Sequence, residues 1–245
     1  MKVVNALSNR NYPDGVVVFP AGMFHAKQNS RQSIFTVIEK ELSAYLATTG
    51  KNFILCFGID GPVDADGYVR DQYAVAVDRT GIIALGRKFY PQNGEQGHVD
   101  LAESFNLMEN GKSRIFPYGN HSFYLAVSHD IFGIKEKGIE NPGVTGVIDC
   151  IHCFYEKELA ASEEPVFARY GFAAVSRQWK CPVFGTGIFV EHAVPVHWPT
   201  GVMWDRGEMS TRFWNYGMNP LHPEESFSVE LREGRASVRV FGLDG

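Results

Sequence analysis

The chain has 245 residues, of which 44% are apolar, 13% aromatic and 21% charged, the make-up of a folded globular protein rather than a disordered or fibrous one. Its 23 basic and 28 acidic residues leave a net charge of −5, which argues against a nucleic-acid or anionic-membrane surface, since both need a basic face. A chain of this length buries roughly 70–75% of the surface its unfolded form exposes, and the four cysteines (Cys56, Cys150, Cys153, Cys181) are too sparse for a disulfide scaffold.

No apolar run reaches the ~20 residues that a spanning helix needs, and the longest, Gly15 to Phe24, contains Pro20. The segment Met1 to Gly15 carries one lysine and no sustained apolar region, so no signal peptide is expected. The chain reads as cytoplasmic with reduced thiols. It shows no repeat, low-complexity stretch or Ser/Gly linker, so residues 1–245 read as a single domain.

Val16-Val17-Val18-Phe19 is a β-branched apolar run stopped by Pro20, the pattern of a strand buried on both faces. Ile34, Val37, Ile38, Leu42, Tyr45 and Leu46 recur at helical spacing, with Ser33 as the cap and Gly50 as the stop. Phe53 to Phe57 reads as a buried strand, Asp64 to Gly67 as a turn and Tyr73 to Val77 as a strand. Asp78-Arg79-Thr80-Gly81 predicts a hairpin connection into a return strand over Ile82 to Phe89. Residues 90 to 114, rich in Asn, Gly, Glu and Gln, read as a long loop, and such loops in compact domains are usually functional. Phe123 to Val127 and Val144 to Ile148 are further buried strands. Leu159 to Gly171 reads as a helix with Pro165 in its first turn. Phe172 to Val175, Gly187 to Val190, Phe227 to Val229 and Ser237 to Phe241 read as strands. Strands and helices alternate before hairpins appear, which predicts an α/β class with a mixed sheet covered by helices on both faces.

Three of these segments, in order, resemble the nitrilase superfamily of carbon–nitrogen hydrolases. Val16-Val17-Val18-Phe19-Pro20-Ala21 is similar to the family's strand ending in Phe-Pro-Glu. The hairpin from Asp78 to Lys88 is similar to the one that delivers the family's lysine. Phe123-Tyr124-Leu125-Ala126-Val127-Ser128-His129-Asp130 is similar to the strand ending in Cys-Tyr-Asp, with serine at the nucleophile's place. The resemblance runs from about Val16 to Val190. It implies a four-layer α-β-β-α sandwich with mixed sheets, often dimerised. It also implies a cysteine that attacks an amide or nitrile carbon, a glutamate that carries protons and a lysine that stabilises the oxyanion.

Of those three groups this chain keeps Lys88. Ala21 stands at the glutamate position and Ser128 at the cysteine position. A serine hydroxyl is a far weaker nucleophile than a thiol unless a base lies beside it. Losing members of a catalytic unit typically lowers the rate by about 10⁴–10⁶-fold. The expectation is a degenerate member, impaired in amide and nitrile hydrolysis, with a pocket for a small amide, nitrile or carboxylate around Lys88, Ala21 and Ser128. Only about 15 residues precede the first matching strand, too few for the strand and long helix that the resemblance implies ahead of it, so either the sheet lacks an edge strand or the start is late.

Replacement chemistry has several candidates. Asp149-Cys150-Ile151-His152-Cys153 follows a buried strand. Either thiol offers a relocated nucleophile with His152 or a nearby carboxylate as its base; the other reading is two inert buried thiols. A zinc site would need two more ligands from His121, His129, His192 or His197, and no second pair has zinc spacing, so neither metal nor cofactor is expected. Ser128-His129-Asp130 cannot form a triad on one strand, because successive residues face opposite ways. Glu95 and Glu103 are each candidates to face Lys88. The aromatic tract His197-Trp198-Pro199, Trp204 and Phe213 to Tyr216 suits a pocket wall, a subunit interface or a core; a homodimer or higher homo-oligomer is expected, and a non-catalytic scaffold associating through this tract is the remaining reading. Arg169 and Arg177 read as structural ion-pair partners.

Overall fold

The computed structural model describes residues 1–25, 31–63, 65, 67, 70–154, 167–190, 193, 194, 198, 200–203 and 219–243. One sheet holds β1 (Asp14–Val18), β2 (Phe24–His25), β3 (Asn52–Asp60), β4 (Gln72–Asp78) and β5 (Gly81–Arg87), in the order β1-β3-β4-β5, with β2 pairing farther along β3. β1 and β2 run parallel to β3, and β3, β4 and β5 are mutually antiparallel neighbours. The other sheet holds β6 (Ile115–Tyr118), β7 (His121–Val127), β8 (Gly146–Phe154), β9 (Val183–Phe189), β10 (Gly201–Met203) and β11 (Asn219–Pro220), ordered β11-β10-β9-β8-β7-β6. Only the β7–β8 and β8–β9 pairs are parallel.

Strand alternation sorts the apolar side chains into three layers. Phe53, Leu55, Phe57 and Ile59 of β3, with Val75 and Val77 of β4, face outward beneath α1 (Lys2–Asn9), α2 (Arg31–Val37) and α3 (Ser43–Thr49). Tyr124, Ala126, Val147 and Ile151 face the opposite outer layer, under α4 (Asp130–Glu136) and α5 (Ala173–Trp179). Ile54, Cys56, Ala74, Ala76, Ala84, Leu125, Val127, Ile148 and Cys150 fill the space between the sheets. The result is the expected four-layer α-β-β-α sandwich with mixed sheets. A hairpin, β12 (Glu225–Glu230) and β13 (Arg235–Val240), forms its own sheet and packs Phe227, Val229 and Val238 against the first outer layer.

Several expectations are corrected. Ser33 lies inside α2 rather than capping it. Between α2 and α3 the helix widens into a π turn over Ile38–Leu42. That extra residue rotates the apolar stripe, so Phe35 and Ile38 are buried while Val37 is 49% exposed. The stop at Gly50 is as expected, with φ of 65°. Phe172 to Val175, expected as a strand, is helical. Phe172, Val175 and Trp179 form a buried stripe at helical period over alanines that allow close packing. The strand expected to end at Ile148 runs on through Phe154, with a register shift between Cys150 and Cys153. The expected Leu159–Gly171 helix lies largely outside the described residues, as does much of the Asp64–Gly67 turn.

The segment after β1 ties the two sheets together. Phe19 N–H donates to Cys56 O (2.7 Å) and Gly58 N–H to Pro20 O (3.3 Å), both in the first sheet, while Ala21 N–H donates to Ile151 O (2.9 Å) in the second. Gly58 is required there, since a Cβ on it would stand 2.4 Å from Ala21 Cα.

Candidate functional site

The interlayer faces of five strands end at one edge of the sandwich, and polar groups replace apolar ones there. Following β3 through Ile54 and Cys56 leads to Gly58 and then Asp60. In the antiparallel partner, Ala76 and Ala74 lead to Gln72, which pairs with Asp60. Past Ala84, β5 leads through Gly86 to Lys88. From Leu125 and Val127, β7 runs into Ser128, and β8 passes from Ile148 and Cys150 to His152. Small residues along the same layer let the sheets close up behind this polar edge.

Lys88 is 1% exposed. Its Nζ donates to Gln72 Oε1 (2.9 Å) and to both oxygens of Glu95, Oε1 at 2.8 Å and Oε2 at 2.6 Å. The glutamate also accepts from Gln92 N–H (2.6 Å) and Gln72 Nε2 (3.1 Å). Burial alone would raise the Glu95 carboxyl, but the ammonium and these donors outweigh it and hold it below the usual carboxylate range. The pair therefore forms a charged clamp at the base of the long loop. Glu103, the other candidate for this place, is exposed.

Ser128 ends β7 in a left-handed conformation, φ 51°, which a non-glycine residue adopts only under constraint. Its N–H donates to Cys150 O (3.0 Å), and its Oγ lies 3.4 Å from His129 Nδ1. The turn, rather than a continuing strand, lets these neighbours touch. Asp130 turns away from both: its carboxylate accepts from Phe89 N–H (2.8 Å), Tyr90 N–H (3.1 Å), Val127 N–H (3.1 Å) and Arg114 Nη1 (3.1 Å). Ser128-His129-Asp130 is thus no triad. The His129 ring packs against Phe132 and Phe167. Burial first, then the nearby Lys88 and His152, push its pKa down to about 4, with Glu95 opposing. His129 is accordingly neutral near pH 7.

Across the layer, His152 Nε2 lies 2.8 Å from Asp60 Oδ1, and His25 Nε2 lies 3.8 Å from Asp60 Oδ2. Asp60 is 4% exposed, whereas the His152 side chain is 25% exposed. Ala21 and Gly22 border this couple. A Cβ on Gly22 would come within 3.1 Å of Asp60 Oδ2 and 3.7 Å of His152 Cδ2. Asp60, Gln72 and His25 were missed from sequence. Asp60 had a signal: it lies at the interlayer parity of Ile54 and Cys56, a carboxylate at the end of an apolar run.

The two thiols of β8 separate. Cys150 is wholly buried between the sheets, and burial, then Cys56 and Asp149, pushes its thiol well above the ordinary range. That excludes it as an accessible thiolate. Cys153 is half-buried. The carboxyl of Asp149, facing the other way, is pushed well above its ordinary range by burial first and then by Asp130. Neither of its oxygens has a hydrogen-bond partner among the described residues, the nearby Ser128 N–H being directed to Cys150 O. No group of three His, Cys, Asp or Glu side chains suited to a metal ion occurs among the described residues. Trp198 is a core residue, 4% exposed and packed on Phe154 and Phe189. The rest of the aromatic tract, His192 and His197 lie outside the described residues.

The chain superposes on a mutant of the amidase from Nesterenkonia sp. AN1 in complex with butyramide, with a TM-score of 0.53 and 10% identity over 76% of this chain and 69% of that one. It superposes equally on a carbon–nitrogen hydrolase from Helicobacter pylori G27, with a TM-score of 0.52 and 12% identity over 76% of this chain and 66% of that one. This is the carbon–nitrogen hydrolase fold. The chain spans about two thirds of the length of these hydrolases. By sequence alone it matches no protein family and no curated protein. Within this hydrolase fold, the turn at Ser128, the lysine after β5 and the Pro20–Ala21 crossing all converge on the one polar edge. Among the described residues no helix is long and apolar enough to cross a membrane.

Proposed function

We propose that this chain is a carbon–nitrogen hydrolase-like protein whose pocket, at the polar edge of the sandwich, binds a small amide or carboxylate. Its thiol-based hydrolysis of amides and nitriles is strongly impaired. The observation that carries the reading is Lys88, a buried ammonium fixed by Glu95 and Gln72 at the edge shared with Ser128 and Ala21. A fixed positive charge suits a carbonyl or carboxylate oxygen. The side chains at positions 21 and 128 supply neither the carboxylate base nor the thiolate that amide cleavage by this route needs.

The Nesterenkonia amidase was solved with butyramide bound, which makes butyramide and butyrate the first probes. Titration calorimetry is expected to show binding to the wild-type chain and its loss in Lys88→Met. Turnover of a panel of aliphatic amides and nitriles is expected to be slow. Fast turnover that survives Lys88→Met would overturn the reading. Alkylation with iodoacetamide followed by peptide mapping addresses a relocated nucleophile: a hyper-reactive Cys153 protected by butyramide would favour an active thiol enzyme. We expect no such protection, and none at the inaccessible Cys150. The four free thiols suit a reducing compartment such as the cytoplasm, and the proposed homo-oligomer is checked by light scattering.

A further inference from the structure

We infer that Asn93–Gly94 is a self-modification site, where the Asn93 side chain is hydrolysed through a cyclic imide and the altered turn frees Glu95 from Lys88. The inference concerns this turn and stands whether or not the pocket takes the ligands proposed above.

Asn93 and Gly94 are the two central residues of the turn that brings Glu95 back to Lys88. Glu95 N–H donates to Gln92 O (3.0 Å) and closes the turn, while Gln92 N–H donates to Glu95 Oε2 (2.6 Å) and ties the turn's start to the carboxylate. Gly94 has a φ of 94°, whereas Asn93 stays out of the left-handed region, the pattern of a type II turn with glycine in third place. Both residues are exposed. Among the described residues, neither the Asn93 amide nor Gly94 N–H has a hydrogen-bond partner. Glu95, in contrast, is held on every side. Its carboxylate accepts from Lys88 Nζ and Gln72 Nε2, and its carbonyl accepts from His98 N–H (3.0 Å) and Val99 N–H (3.2 Å). A change of chain length at Asn93 is therefore felt at the Lys88 clamp.

In the first step the Gly94 nitrogen bonds to Asn93 Cγ, and the side-chain nitrogen leaves as ammonia with the proton from Gly94 N–H. Glycine favours this attack because no side chain shields its nitrogen. Water then opens the five-membered imide. Cleavage at Cγ restores the ordinary backbone with an aspartate side chain. Cleavage at the α-carbonyl carbon routes the chain through Cβ and Cγ and leaves the α-carboxylate free. Either way, amide plus water becomes carboxylate plus ammonium. Both products add a negative charge two residues from Glu95, and the second also adds a backbone atom inside a turn closed by one main-chain bond. Ring closure requires the turn to open, so the clamp retards the reaction that undoes it.

A second such step, Asn110–Gly111, is the internal reference. It is also exposed, and its hairpin is closed by Glu109 N–H to Lys112 O (3.0 Å) and Lys112 N–H to Glu109 O (2.8 Å), bonds that involve neither Lys88 nor Glu95.

The test is ageing of the full chain in mildly alkaline buffer, with peptide mass mapping of both asparagines. Conversion at Asn93 is expected in the wild type. In Glu95→Ala it is expected to run about tenfold faster, the effect of one lost charge-assisted hydrogen bond on opening of the turn, with Asn110 keeping its wild-type rate. Lys88→Met, which leaves Glu95 held by Gln72 and Gln92, is the second variant should Glu95→Ala not fold, and is expected to accelerate Asn93 in the same direction. The converted wild-type fraction, isolated by anion exchange, should unfold at lower urea than the unconverted one, and Asn93→Gln aged alongside should yield no such fraction. An intact Asn93 beside a converted Asn110, equal acceleration of both steps, or a converted fraction that unfolds like the unconverted chain would overturn the inference.

Discussion

Arg114–Asp130 and Lys88–Glu95 are both buried cation–carboxylate pairs near the end of β7, and they differ in what surrounds them. Arg114 and Asp130 are 1% and 0% exposed at their side chains, and the carboxylate also accepts three backbone N–H groups. Arg114 Nη1 further reaches Tyr124 Oη at 2.9 Å, and Nη2 reaches Arg87 O. Even Gly86 is shaped by it, since a Cβ there would meet Arg114 Nε at 2.9 Å. This pair holds the start of the long loop, the end of β5 and the turn before Ser128 in one register. Lys88–Glu95 lies nearer the surface, with Glu95 14% exposed, and its ammonium stands at the polar edge. One pair builds the frame and the other stands at the polar edge proposed as the pocket, a distinction that burial and partner number reveal and charge alone does not.

The sharpest break is removal of one frame partner. Arg114→Met leaves Asp130 buried without its cation, and is expected to cost about 3–5 kcal/mol in urea unfolding. Lys88→Met should cost clearly less, because Glu95 can rehydrate. A larger loss for Lys88→Met would reverse the assignment of roles. The next effect is pH-dependent and belongs to His129. Its pKa is about 4 when folded against an ordinary 6.5, so between those values the unfolded chain binds the extra proton. Stability is therefore expected to fall as pH drops from about 6.5 to 4, by up to about 3 kcal/mol. His129→Gln should flatten that decline in a series of urea midpoints.

Gly58→Ala drives a Cβ into Ala21 backbone, for an expected loss of about 1–3 kcal/mol and a displaced site edge. Glu95→Gln retains hydrogen bonds but leaves the buried Lys88 ammonium without its counter-charge, for an expected loss of about 1–3 kcal/mol near neutrality. Because Glu95 is held below its ordinary pKa, its contribution is intact above the usual glutamate range and disappears as pH falls through the folded value. The variant should therefore match wild type in strong acid, as thermal melts at several pH values would show.

Much of the frame was legible because the strands that make it are continuous apolar runs. Val16 to Phe19, Phe53 to Phe57 and Phe123 to Val127 need no context to be recognised. Phe172 to Val175 misled because four residues cannot distinguish a buried strand from a buried helix; the stripe extends to Trp179. Within the site, Glu95 and Glu103 were indistinguishable in the chain, since only the turn at Gln92 decides which carboxylate comes back to Lys88. His152 was singled out with the thiols, but its partner Asp60 is 92 residues away, and only sheet stacking brings the two together. Short β6 and β10 fell below any periodic signal.

The crossing at Phe19–Ala21 has one further consequence. Because Ala21 N–H is bonded to one sheet while its neighbours are bonded to the other, the layers cannot slide past each other without exposing that amide to solvent. Its deuterium uptake is thus a built-in gauge of breathing between the halves. A proton that exchanges only on global unfolding would mean that ligands enter a preformed slot, whose width the alanines behind it have already fixed.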